Sequence, residues 1–199
     1  MTDDIEVLLF DLGGVLLHLN DTLDTFDVRM SDVDFRERWL LSDSTRQHES
    51  GRISFDEFAH GMLDELELPY DADEFARRFD AWPGEMYDQT LSLLDSLSNR
   101  YRLAVLSNVS ARHWELPRIA QHIEPRVEHT FLSYKTGLLK PDAETYSDVV
   151  STLGTSPARI LFFDDNILNV KAARSHGLRA AHTIGGDQLV ANLREANVL

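Results

Sequence analysis

The 199-residue chain contains no cysteine, which excludes disulfides, thiolate metal sites and cysteine nucleophiles. Positive charge is scarce, with 19 Lys and Arg against 34 Asp and Glu and a formal net charge of −15. Most of such a surface would repel a polyanion, so nucleic acid is not an expected partner. A phosphorylated ligand would have to meet a local cationic site. Only three residues are lysines, Lys135, Lys140 and Lys171. Long apolar runs are also lacking, so no membrane span is expected, and the acidic start Met-Thr-Asp-Asp-Ile-Glu has no basic and apolar regions of a secretory signal. The expectation is a cytoplasmic protein with no membrane partner, a monomer or a homodimer. Its size and 43% hydrophobic content suit one sizeable core, alone or with a smaller appended module.

What is present is a series of short, continuous apolar runs at 7–10, 103–106 and 160–163. Continuous rather than alternating runs suit parallel strands covered on both faces. Further runs at 130–132 and 180–184 would complete a five-stranded sheet. Helical patterns lie at 142–153, at 166–175 ending at Gly177, and at 187–196 after Gly185-Gly186. Strand, acidic loop and helix in repetition predict an α/β fold with a doubly wound, Rossmann-like parallel sheet. In that fold ligands sit beyond the carboxyl ends of the strands. Asp11, Ser107 and Asp164-Asp165 each follow an apolar run directly.

The interval 20–86 breaks this rhythm. It carries amphipathic patterns at 35–41, 55–66 and 72–82 with no clear buried strand, and reads as a small helical cap inserted into a core of 1–19 and 87–199. Within it, Gly51 to Glu57 imitates half of a calcium-binding loop. Arg46 and His48 then fall where acidic ligands belong, which argues against calcium. Ser54 reads instead as an N-cap, with Glu57 completing a capping box.

Four segments carry the chemistry. Val7-Leu-Leu-Phe-Asp-Leu-Gly-Gly-Val15 delivers Asp11 from an apolar run into a glycine pair, and Leu106-Ser-Asn108, Lys140-Pro-Asp142 and Phe162-Phe-Asp-Asp-Asn166 follow in order. Two adjacent acids gathered near Asp11 would repel one another without a cation, and hard oxygen ligands point to magnesium. As a set, these segments resemble the four signature motifs of the haloacid dehalogenase-like hydrolase superfamily. The resemblance implies a magnesium-dependent phosphatase whose nucleophile, Asp11, forms an aspartyl-phosphate. It further implies that Ser107 and Lys140 assist catalysis, and that Gly14, Ser107, Asn108 and Lys140 hold the phosphoryl group. Asp11, the Gly13 carbonyl, Asp164 and Asp165 would bind Mg2+. Asn169 would support the acidic pair, and Lys135 is a weaker alternative to Lys140.

One position departs from the pattern. Gly13 stands where most phosphatases of the superfamily carry a second Asp as general acid and base. Such help is worth roughly 10²–10⁴ in rate. Phe-Asp-Leu-Gly, His48-Glu-Ser-Gly51 and the later motifs are similar to a bacterial sugar phosphatase subgroup that includes an α-D-glucose 1-phosphate phosphatase and also lacks this acid. The implied substrate is a small phosphorylated metabolite, a sugar phosphate. His18 is a candidate for the missing proton donor. Arg46, His48, Arg52, Trp39 and Trp82 are candidates for substrate choice. A 2-haloacid dehalogenase would share the nucleophile but not the paired acids. A non-catalytic phosphometabolite-binding or regulatory protein would keep the pocket without turnover.

Overall fold

The computed structural model describes residues 4–28 and 30–199. The chain opens with β1 (Val7–Phe10) and β2 (Leu17–Leu19), then runs through five helices: α1 (Thr22–Phe26), α2 (Asp32–Leu41), α3 (Asp43–Glu49), α4 (Phe55–Glu65) and α5 (Ala72–Ala81). It returns through β3 (Pro83–Met86), α6 (Thr90–Leu97), β4 (Arg102–Ser107), α7 (Ala111–Trp114), α8 (Ala120–Ile123), β5 (His129–Leu132) and α9 (Ser133–Thr136). The last elements are α10 (Ala143–Leu153), β6 (Ile160–Asp164), α11 (Ile167–Ser175), β7 (Arg179–His182) and α12 (Gly185–Glu195).

The five-stranded sheet has the order β5-β4-β1-β6-β7, and every neighbouring pair is parallel. Because alternate residues face opposite sides of a strand, Leu8, Phe10, Val105 and Phe163 pack on one side with Leu94 of α6 and Leu193 of α12. Val7, Leu9, Ala104 and Phe162 pack on the other with Tyr146 of α10 and Val170 of α11. Both faces are therefore apolar, which is why these strands read as unbroken hydrophobic runs. Each fully buried large side chain contributes roughly 1.5–3 kcal/mol.

The helices between β2 and β3 bury a separate aromatic cluster of Phe26, Phe35, Trp39, Phe58, Phe75 and Phe79. Ser54 caps α4 as expected, its Oγ accepting from the Glu57 amide at 3.2 Å while Glu57 Oε2 accepts from the Ser54 amide at 2.9 Å. Three features of this region depart from the sequence reading. α1 and α3 are additional helices, and β2 and β3 pair as a two-stranded antiparallel ribbon. These are too short to show a period.

Two boundaries also move. β7 ends at His182 rather than running to 184, and α12 begins at Gly185, so the glycine pair forms its first turn instead of preceding it. One cause is tertiary, the Gly185 amide donating to the Gly14 carbonyl at 2.7 Å, and one is local, the Ile184 amide donating to Gln188 Oε1 at 2.8 Å. Among the described residues no helix is long and apolar enough to cross a membrane.

Candidate active site

Parallel strands end on the same edge, and the register decides which side chains meet there. Phe10 lies opposite Phe163 and Val105, so the next residue of β1's path, Asp11, comes beside Asp164, with Ser107 just beyond on β4. The Asp11 amide donates to the Phe163 carbonyl at 2.8 Å, continuing the ladder by one step. Asp11, Asp164 and Asp165 thereby bring one carboxylate oxygen each within 4.8 Å of one another.

Lys140 enters this cluster from the loop after α9. Its Nζ lies 2.8 Å from Asp11 Oδ1 and 2.6 Å from Asp164 Oδ2, and the residue is only 1% exposed. Burial alone would lower the lysine's pKa, but the charges of Asp11 and Asp164 override it and hold the group protonated, above its ordinary value. Burial pushes Asp11 up to about 7, with Asp164 and Asp165 adding to the rise and Lys140 opposing it.

Asp164 is fully enclosed. Its Oδ1 accepts from the Asn166 amide at 2.8 Å and from Asn169 Nδ2 at 3.0 Å, while Oδ2 accepts from Lys140 and from Asn169 Nδ2 at 3.1 Å. Asn169 thus sits behind the acidic pair, as the sequence suggests. Asp165 lines the cavity, its carboxylate against Gly14. A Cβ on Gly14 would lie 2.7 Å from Asp165 Oδ2, and the backbone there is left-handed at φ +73°. Glycine is required on both counts.

Two residues expected to hold the phosphoryl group already have backbone partners. The Gly14 amide is spent on the Leu17 carbonyl at 2.8 Å, so this glycine makes room for Asp165 rather than offering a donor. Asn108 gives both ends of its side chain to the backbone of Lys140: Nδ2 donates to the Lys140 carbonyl at 2.9 Å, and Oδ1 accepts from its amide at 2.8 Å. It positions the lysine. Ser107 lies at the cavity floor beside Asp11 and Lys140.

The cavity above them has a volume of about 640 Å³. From the helical side it is lined by Phe35, Trp39, Phe79 and Trp82, and by Leu17 and Leu19 of β2. Of the remaining substrate-choice candidates, Arg46 pairs with Asp142 at 2.8 Å, His48 stacks on Phe58 and Arg52 is exposed. His18 does not line the cavity; it is exposed on β2 against the Tyr87 ring. Lys135 is exposed over Tyr134, away from the carboxylates. Glu37, Glu49, His113 and His182 also line the cavity and were unassigned in the sequence reading; Glu49 stands at the end of α3. A carboxylate in the last turn of a helix opposes the macrodipole, and that misfit is the signal that marks it.

A parallel sheet with a carboxylate nucleophile candidate, an invading lysine and a second pair of acids defines a hydrolase site built for a metal cation and a phosphoryl group. The chain belongs to the haloacid dehalogenase-like hydrolases, whose family model matches residues 5–177. It is similar to sesquiterpene phosphatase astK of Aspergillus oryzae, at 29% identity over 185 residues, covering 92% of this chain and 91% of that protein. It is also similar to flavin mononucleotide hydrolase 1 of Arabidopsis thaliana, at 28% identity over 71% of this chain and 61% of that one. Among solved structures, a haloacid dehalogenase family enzyme of Bacteroides thetaiotaomicron in complex with magnesium and inorganic phosphate matches at 27% identity and a TM-score of 0.73, covering 92% of this chain and 96% of that chain. The protein is a phosphoric monoester hydrolase of this family, and its cofactor is Mg2+. The oxygen-only donor set of Asp11, Asp164 and Asp165 fits that ion.

Proposed function

We propose that the protein hydrolyses a small phosphorylated metabolite through an aspartyl-phosphate at Asp11. The observation that carries this reading is Lys140 held between Asp11 and Asp164 in the lining of one cavity. Lys140 opposes the burial that would protonate Asp11 and meets the phosphoryl charge. The Ser107 hydroxyl donates to a phosphoryl oxygen. Asp11, the Gly13 carbonyl, Asp164 and Asp165 would hold the magnesium, and Lys140, the Asn166 amide and Asn169 fix the Asp164 carboxylate in place. The bound ion supplies neutralising charge to the phosphoryl oxygens. We read 20–86 as the cap that closes over this floor.

The substrate's organic part is apolar rather than a sugar. Trp39, Trp82, Phe35 and Phe79 line the cavity, and Leu41, Ile167 and Leu168, all exposed, rim it. Burying such walls favours a hydrocarbon body, whereas sugar hydroxyls would need polar partners. The name of the sesquiterpene phosphatase relative supports the same class. Phosphate release with and without magnesium, across farnesyl phosphate, flavin mononucleotide, sugar 1- and 6-phosphates, an acyl phosphate and p-nitrophenyl phosphate, tests the reading. Magnesium-dependent release, fastest from farnesyl phosphate, is expected. Preference for a sugar phosphate would overturn the apolar assignment, and silence from a folded, magnesium-loaded sample across the panel would favour a binding protein.

A further inference from the structure

Gly13 leaves the reaction without its usual acid, so the proton must come from another group at the cavity. The titratable side chains lining it are Asp11, Glu37, Glu49, His113, Lys140, Asp165 and His182. Asp11 and Asp165 are the nucleophile and a metal ligand in the reading above, on which this inference rests, and Lys140 is committed to two carboxylates. His113 Nε2 donates to the Phe79 carbonyl at 2.8 Å, and burial depresses its pKa to about 4, so it carries no proton to give near neutrality. His182 Nε2 donates to the Asp165 carbonyl at 2.8 Å. Glu37 is exposed to solvent.

We infer that Glu49, carried into the cavity by the end of α3, is the general acid and base of this enzyme. Glu49 is a half-buried lining residue of the cavity, and the Trp39 indole of α2 hydrogen-bonds its carboxyl. The charged groups acting on it are Lys140, from the loop after α9, and Arg46, one turn earlier on α3; neither α4 nor α9 adds one. Burial outweighs these three influences and pushes the group up to about 7, where an acid is half loaded at neutral pH and serves in both directions. The same helix is joined by the Arg46–Asp142 pair to the loop that carries Lys140.

In the first step an Asp11 oxygen bonds to phosphorus, the bond to the leaving oxygen breaks with its electron pair, and the Glu49 proton goes to that oxygen. In the second, a water oxygen bonds to phosphorus, its proton passes to the Glu49 carboxylate, and the Asp11 oxygen departs with the pair. Inorganic phosphate is released, Asp11 is again a carboxylate and Glu49 is again an acid. The acid therefore comes from the cap, across the cavity from the Gly13 position.

The test compares wild type, Glu49→Gln and Glu49→Asp of the full chain with magnesium, on farnesyl phosphate and on p-nitrophenyl phosphate. Glu49→Gln should lower kcat on farnesyl phosphate by about 10²–10⁴, and the fall in wild-type rate above pH 7 should vanish. With p-nitrophenyl phosphate, whose leaving group needs no proton, the same variant should release one equivalent of nitrophenol in a burst and then turn over slowly. Glu49→Asp should recover part of the loss. Turnover by Glu49→Gln within threefold of wild type, or an equal loss on both substrates with no burst and an unchanged pH profile, would overturn the assignment. Failure of the phosphatase reading would show separately, as a wild type inactive on both substrates.

Discussion

Replacing Lys140 by Met keeps the length and apolar stem of the side chain and removes one charge from among three carboxylates. At 2.8 Å and 2.6 Å from its two partners, the ammonium gains about 6 kcal/mol from each in gross attraction at an effective dielectric of about 20. Most of that is offset by desolvation, because the lysine and Asp164 are essentially inaccessible to water. Breaking such a pair from one side, which strands buried charge, typically costs about 3–5 kcal/mol. In a domain of this size 1 kcal/mol moves Tm by roughly 2–4 °C, so the magnesium-free variant at pH 8 should melt about 6–20 °C below wild type. The gap should narrow at pH 5.5, because burial already raises Asp11 and the variant lacks the opposing pull of Lys140, so the carboxylate takes up a proton there and no longer strands a charge. It should narrow at pH 8 when magnesium is added. The assay is thermal unfolding of both proteins at the two pH values with chelator or magnesium. A loss below 3 °C at pH 8 in chelator would show that the lysine does not hold the carboxylates together, and the electrostatic account of the site would fall. The same substitution should cost about 10²–10³ in kcat.

Asp11→Asn should abolish phosphate release and leave no hydroxylamine-sensitive phosphoenzyme after a rapid acid quench; wild-type turnover would refute the covalent route. Gly13→Asp should fold, since its Cβ would meet only the tip of Leu19, at 3.2 Å, and a shift of a few tenths of an ångström by that flexible side chain relieves the contact; circular dichroism checks this. Gly14→Ala combines a left-handed backbone with a Cβ against Asp165. It should lose about 1–2 kcal/mol and raise the magnesium concentration needed for half-maximal activity at least tenfold, read by titration. Burial holds His113 neutral down to about pH 4, against the pull of the Phe79 carbonyl and Asp80. The unfolded histidine takes its proton near pH 6.5, so this group's stabilisation is complete above that pH and drains away as pH falls towards 4, by at most about 3 kcal/mol. His113→Gln should flatten that limb in urea unfolding at pH 7 and 4.5; an unchanged slope would refute it.

The helical interval between β2 and β3 was the least legible part of the chain. Its long helices announce themselves by period, and Ser54 with Glu57 marks the start of α4. α1 and α3 are short, and the β2–β3 ribbon is made by pairing across the whole insertion, which no local pattern encodes. Glu49 illustrates the consequence. It stands beside His48 in a stretch that resembles relatives, yet nothing in the stretch says that one side chain turns to Phe58 and the other to the cavity. Asn108 is a second case: its neighbour Ser107 made a phosphoryl contact plausible, while folding spends its amide on the lysine loop.

The core is different in kind. Unbroken apolar runs can only be strands buried on both faces, and a carboxylate or hydroxyl directly after each run must then emerge at the common edge. The sequence alone therefore indicated the α/β sheet and the edge at which Asp11, Ser107, Asp164 and Asp165 emerge, while Lys140 joined them only through the resemblance of its motif. The tertiary structure decided how those groups divide the work. Lys140 is shared between Asp11 and Asp164, Asp164 is closed off by Asn166 and Asn169, Gly14 yields space to Asp165, and aromatic walls cover the floor. Residue type and strand period are local properties, whereas hydrogen-bond partners, burial and the charge each group feels depend on which distant segments fold against it.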